Sequence, residues 1–309
     1  MSSAAMAPLQ KRAALLSGRS LVADRYHLKE RLGRGSLAEV FRAADLSGGP
    51  DVAVKVAVGG SEKHFERISR EAEVLAALQH PSIIRFIAHG VMPAGTPLAG
   101  RPFLVEELAL GASLAEAART GRPGTGDVAG WSCGLFGALA HLHGHGLVHR
   151  DIKPANLMLS GLRRSPVRII DFGIVAAAGS APEPGISSGT VHYMSPEQAA
   201  GGSARPSWDV YAMGLVLLEL LTGSKAFPGT AIESLVARTL RSPVIPDSLG
   251  PGWCNFLRAL TAMDSDARPT AADAAVMAGR LVPPPRAVED TIPCRKMAVF
   301  PARRIRQLV

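Results

Sequence analysis

Between Tyr26 and Phe86 the spacing of apolar positions changes period twice. Tyr26–Leu32, Glu39–Ala44 and Val52–Val56 alternate or cluster β-forming residues around glycines and an Asp-Leu-Ser-Gly-Gly turn, which predicts three strands. From Ser61 to Leu78 the period becomes helical, with Phe65, Ile68, Ala72, Leu75 and Leu78 on one face. Ile83–Ala88 and Phe103–Leu108 read as two further strands, joined by a Gly/Pro-rich loop from His89 to Pro102. The first part of the chain is therefore expected to form a five-stranded antiparallel sheet with one helix.

After Gly111 helical patterns dominate. Asp127 is placed to cap a helix running to about His145, where Gly144 and Gly146 end it. Ser207–Leu221 reads as an apolar helix, and Ile232–Arg241, Trp253–Met263 and Thr270–Leu281 as three more. Pro283-Pro284-Pro285 stops the last. The expected class is α+β with two lobes, 26–108 and 109–281, and a ligand-enclosing cleft between them. A flexible leader (1–25) and a basic, proline-containing tail (282–309) flank this body.

Composition narrows the function classes. Hydrophobic residues make up 47% and charged residues 19%, which fits a globular chain rather than a disordered one. No apolar run approaches the roughly eighteen residues of a membrane span, so no transmembrane anchor is expected. The net charge of +8 sits mostly at the two ends. In 1–25 four basic residues face Asp24, and in 282–309 six face Glu289 and Asp290, leaving the body near neutrality. A basic groove for nucleic acid is therefore not expected. Cys133, Cys254 and Cys294 lie far apart without metal-ligand spacing, as in a reducing cytoplasm. His141, His143 and His145 have metal-like spacing but no Cys or carboxylate beside them, and read as the end of a helix.

The chemistry concentrates in a few short stretches. Leu32-Gly33-Arg34-Gly35-Ser36-Leu37-Ala38-Glu39-Val40 has glycines where backbone N–H groups can approach phosphates without a Cβ in the way. Lys55 ends the apolar run Val52-Ala53-Val54, where an unpaired lysine is uncommon. Of the two acids on the following helix, Glu71 borders the inward stripe beside Ile68 and Leu75, and Glu73 points away. Further on stand His149-Arg150-Asp151-Ile152-Lys153-Pro154-Ala155-Asn156 and, fifteen residues after Asn156, Asp171-Phe172-Gly173. Asn156 and Asp171 offer oxygen ligands of the kind a hard divalent cation prefers.

Together these stretches resemble the eukaryotic-type protein kinases, in particular the bacterial serine/threonine protein kinases. The resemblance runs from about Tyr26 to Leu281. It implies ATP as phosphoryl donor with Mg²⁺, or Mn²⁺, as cofactor, and protein Ser/Thr hydroxyls as acceptors. Asp151 would orient or accept the hydroxyl proton, Lys153 would neutralise γ-phosphate charge, and Asn156 and Asp171 would hold the metal. Lys55, held by Glu71, would contact the α- and β-phosphates. The base would lie among Leu32, Val40, Ala53 and Met158 and meet the backbone of Glu107 and Ala109, while Gly33, Arg34 and Gly35 cover the phosphates.

The third glycine of the loop is replaced by Ala38. Glu106 stands where a bulky apolar residue is usual, which implies a polar back wall to the base pocket, open to a salt bridge. These two departures motivate the alternative of a pseudokinase or nucleotide-binding scaffold. Thr190 would bridge Asp151 and Lys153, Glu197 would pair with Arg268, and Asp209 would bond the amides of the catalytic loop. Arg150 points to an activation segment ordered by phosphorylation at Ser187 or Ser188, with Ser180 a weaker candidate. The resemblance further implies signalling in the cytoplasm and dimerisation for autophosphorylation.

Overall fold

The computed structural model describes residues 21–35, 37–162, 165–181 and 190–284. Strands β1 (Leu21–Val22), β2 (Tyr26–Arg34), β3 (Ala38–Asp45), β4 (Val52–Ala57), β5 (Phe86–Val91) and β6 (Pro102–Glu107) form one antiparallel sheet in the order β1-β2-β3-β4-β6-β5. Helix α1 (Glu62–Ala77) packs across it. The alternation in β4 splits the side chains between two faces. Val52, Val54 and Val56 join Phe103 and Val105 of β6 in an outer core, and Ala53, Lys55 and Ala57 face α1 and the cleft.

The sheet has one strand more than the pattern predicts. Leu21 and Val22, counted with the leader from sequence, pair with His27 and Tyr26. The connecting turn places Ala23 and Asp24 at φ +50° and +51°, a primed turn built without glycine or asparagine. Arg25 locks it through two hydrogen bonds to Asp45, of 2.8 and 2.7 Å. The strand expected at Ile83–Ala88 is also displaced. Ile83 and Ile84 instead leave the sheet to bridge towards the second lobe, and β5 runs through the expected loop to Val91.

The second lobe contains α2 (Leu114–Thr120), α3 (Thr125–Gly144), a short α4 (Pro196–Ala199), α5 (Pro206–Thr222), α6 (Ala231–Leu240), α7 (Gly250–Leu260) and α8 (Ala271–Gly279). Helix α3 starts before its expected cap, at N-cap Gly124, and Asp127 sits instead in the first turn, where an acid complements the helix dipole. Two small hairpins carry the loops at the cleft. β7 (Leu147–Val148) pairs with β10 (Ala176–Ala177), and β8 (Leu157–Leu162) pairs with β9 (Ser165–Ile169). One apolar cluster is continuous from Leu75 and Leu104 in the first lobe to Phe136 and Leu217 in the second. Among the described residues no helix is long and apolar enough to cross a membrane.

Candidate active site

The lobes enclose a cleft of about 580 Å³, lined from above by Gly35, Ala38, Val40 and Lys55 and from below by Asp151, Lys153, Asn156 and Asp171. Lys55 gains its position from β4, whose register sets it opposite Val40 on β3 and Leu104 on β6. Its Nζ donates to Glu71 Oε1 at 2.7 Å, Glu71 Oε2 at 2.9 Å and Asp171 Oδ1 at 2.8 Å. Glu71 is 1% exposed and shares the buried face of α1 with Ile68, Ala72 and Leu75, whereas Glu73 is exposed.

Charges in this cluster hold one another. Burial alone would push the Lys55 ammonium down, but Asp171, Glu71 and Glu106 together keep it above its ordinary value. The Lys55 charge pulls Asp171 well below the usual carboxylate range against the opposing effect of burial. Burial pushes Glu71 upward, with Lys55 opposing and Asp171 assisting.

The catalytic loop is fixed from beneath. Asp209, in the first turn of α5, accepts from the backbone N–H of His149 at 2.8 Å and of Arg150 at 2.9 Å. That contact holds Arg150 at φ +67°, a costly conformation for a non-glycine residue, and aims the next residue into the cleft. Lys153 Nζ donates to Asp151 Oδ2 at 2.7 Å. Asn156 Nδ2 donates to the same oxygen at 3.0 Å and to the Asp151 carbonyl at 2.9 Å. His149 is buried, stacks edge-on against Phe172 at 4.9 Å, and accepts the Asp151 N–H through Nδ1. Burial pushes its imidazole down, so it stays neutral and structural.

Asp171 follows β9 with φ +64°, and its side chain is 44% exposed to the cleft. A Cβ at Gly173 would come within 3.3 Å of both Asp171 Oδ1 and Glu71 Oε2, so glycine there keeps the ion cluster compact. The hydrogen bonds described for Asp171 use Oδ1, and those of Asn156 use its amide nitrogen. One oxygen of each therefore remains to serve a hard divalent cation, so the donor set fits Mg²⁺.

The remaining predicted residues take their places around this centre. Leu32, Gly33 and Arg34 lie on the exposed second half of β2, towards the turn, with Arg34 paired to Glu39 at 3.1 Å, and the Gly35 N–H closes the hairpin onto the Ala38 carbonyl at 2.8 Å. Ala53 is buried opposite Glu106, and Met158 on β8 bridges Ser113. Glu107 ends β6, where its N–H reaches the Arg85 carbonyl at 2.9 Å, and Ala109 packs against the main core. Thr190 opens a single 3-10 turn to His192. Ser187 and Ser188 lie outside the described residues, whereas Ser180 has a buried hydroxyl. Glu197 meets Arg268 through two bonds of 2.5 and 3.0 Å.

Glu106 departs from the salt-bridged arrangement raised from sequence. It lines the cleft near Lys55, but the Lys55 hydrogens go to Glu71 and Asp171, and Glu106 Oε2 is buried with no hydrogen-bond partner among the described residues. Other contacts had no local signal in the chain. Glu107 pairs with Arg168 of β9 at 2.5 Å, clamping the end of the first lobe to the strand that carries Asp171. His143 does have a carboxylate neighbour, Asp209 at 2.9 Å, supplied from 66 residues away. Arg67 and His64 of α1 also line the cleft. Their helical spacing from Glu71 places them one and two turns back on its face.

Comparison with known proteins agrees with this geometry. A family model for the protein kinase domain matches residues 26–277. The chain is 38% identical over 240 residues to serine/threonine-protein kinase PknB of Mycobacterium tuberculosis, covering 74% of this chain and 37% of that protein. It is 37% identical over 237 residues to the DNA damage-responsive serine/threonine-protein kinase RqkA of Deinococcus radiodurans, covering 74% and 34%. A probable serine/threonine-protein kinase PknB of Lactococcus lactis matches at 35% over 228 residues, covering 72% and 35%. The matched stretch thus spans about a third of the length of these relatives. By sequence, by fold and by the arrangement of its cleft, the chain belongs to the protein kinase family.

Proposed function

We propose that the chain transfers the γ-phosphoryl group of ATP to Ser or Thr hydroxyls of proteins, a second copy of itself included. One observation carries this reading: Lys55 and Glu71 above the cleft are bonded across it to Asp171, while Asp151, Lys153 and Asn156 form a bonded set below it. The scaffold alternative predicts at least one broken link in that constellation. The matched serine/threonine kinases support the choice of acceptor.

In this reading the Asp151 carboxylate takes the proton of the incoming hydroxyl as its oxygen bonds to the γ-phosphorus. The bond from phosphorus to the β,γ-bridging oxygen breaks, and ADP leaves with that electron pair. Lys55 would fix the α- and β-phosphates, and Lys153, already beside Asp151, would offset charge on the transferred group. A divalent cation, Mg²⁺ or Mn²⁺, held by Asn156 and Asp171 would cancel phosphate charge across the same bond. The base would be sandwiched by Val40 and Ala53 against Met158, with Leu32 at the rim, the backbone of Glu107 and Ala109 at its edge, and Gly33 to Gly35 over the phosphates. Thr190 would tie Asp151 to Lys153. We place this activity in the cytoplasm, where ATP is available and Cys133 and Cys254 remain free thiols.

The test is transfer of labelled phosphate from ATP to a generic Ser/Thr acceptor with Mg²⁺ or Mn²⁺. Asp151→Asn and Lys55→Met should each lower transfer by about 10²–10⁴-fold. Equal transfer by wild type and Asp151→Asn, or none by wild type, would overturn the proposal.

A further inference from the structure

Glu106 is an acid in a position that ordinary packing would give to an apolar side chain. It is 9% exposed, both edges of its strand are paired, and its Oε2 has no hydrogen-bond partner among the described residues. Leaving such a group buried and unbonded is costly unless a ligand completes it. Lys55 does not, because its bonds go to Glu71 and Asp171. The open volume beside Glu106 is the cleft itself.

Register says what would arrive there. Glu106 stands directly opposite Ala53, and the two share the face of the sheet that carries Lys55 two residues along β4. With phosphates at Lys55 and the base over Ala53, the acid meets the edge of the base rather than its face or the phosphate chain.

We infer that Glu106 is a specificity-determining residue for the nucleotide, its buried carboxyl oxygen accepting a hydrogen bond from the 6-amino group of adenine. This rests on the nucleotide site proposed above. The bond does not depend on ionisation, since both the acid and the carboxylate present an acceptor oxygen. Burial, partly opposed by Lys55, pushes the Glu106 carboxyl up to about 8, so both forms occur around neutrality.

The experiment compares dissociation constants for ATP and for purine riboside triphosphate, which carries hydrogen in place of the 6-amino group. Wild type, Glu106→Gln, Glu106→Leu and Glu106→Met are each titrated by calorimetry. The amide of Glu106→Gln keeps an acceptor oxygen, while the two apolar variants are close in volume and give independent readings should one fold poorly. The expected result is that loss of the 6-amino group weakens binding to wild type and Glu106→Gln about tenfold more than to Glu106→Leu or Glu106→Met. The same ratio in all four proteins, with tight ATP binding throughout, would overturn this inference and leave the nucleotide site standing. Wild type that binds neither triphosphate would overturn both.

Discussion

Three charged groups face Glu106: Lys55 from β4, Glu71 from α1 and Asp171 after β9. Burial and the two acids raise its pKa from 4.5 to about 8, with Lys55 working against them. A carboxyl that binds its proton more tightly when folded stabilises the fold at low pH and loses that contribution as pH rises. For Glu106 the contribution is complete below about 4.5 and gone above about 8. Glu106→Gln cannot titrate, and the opposite dependence of Asp171 is present in both proteins and cancels. The stability advantage of the Gln variant over wild type should therefore grow between pH 5 and pH 8.5, by on the order of a few kcal/mol, and then level off. Guanidinium unfolding across that range measures it. A constant difference, or one that shrinks with pH, would show that Glu106 is ionised in the fold at all these values.

Among the elements, α5 and α7 pack closely at Gly214. A Cβ at Gly214 would lie 2.8 Å from Thr261 Cγ2 and 2.9 Å from Leu260 Cβ. Alanine at a helical glycine gains about 1 kcal/mol in propensity, whereas overpacking a core costs about 1–3 kcal/mol. Leu260 Cβ is tied to backbone and cannot swing aside, so the clash should win. Gly214→Ala should lower stability by about 1–2 kcal/mol, read as a lower urea midpoint at unchanged slope; a raised midpoint would refute this ordering. Periodicity made much of this level legible before any coordinates. The helical stripe of α1 separated Glu71 from Glu73, and α5 showed as an apolar helix because nearly all of it is buried. What it missed was set elsewhere. The turn before β2 uses Ala23 and Asp24 in place of glycine and is held by Asp45, twenty residues from Arg25. Ile83 and Ile84 look like strand residues, but the Ile84 N–H donates to the Ile169 carbonyl across the lobes, and the Ile169 N–H donates back to the Ser82 carbonyl beside them. The partners of Glu107 and His143 were invisible for the same reason, because long-range pairing leaves no local period.

Across the described residues, backbone bonds, ion pairs and a shared core bind the lobes into one unit. The Ile84 N–H reaches the Ile169 carbonyl at 3.0 Å, Glu107 clamps Arg168, Lys55 meets Asp171, and the main apolar cluster includes both Ile84 and Ile169. The first lobe keeps its smaller outer core, but the main core is shared by both lobes, so thermal unfolding should follow a single transition. A nucleotide that bridges Lys55 above and Asp171 below should then raise that one transition as a whole. At a hundred times its dissociation constant, ATP with Mg²⁺ adds about 2.7 kcal/mol, or about 5–10 °C for a domain of this size. Lys55→Met removes one wall of the site, and at the same ligand concentration the shift should fall to half or less. Asp151→Asn, which faces the acceptor hydroxyl, should keep it. Scanning calorimetry on the three proteins decides between this and independent lobes. Two transitions in wild type, with ATP moving only one, would mean that the contacts between Ile84 and Ile169 and between Glu107 and Arg168 touch without coupling.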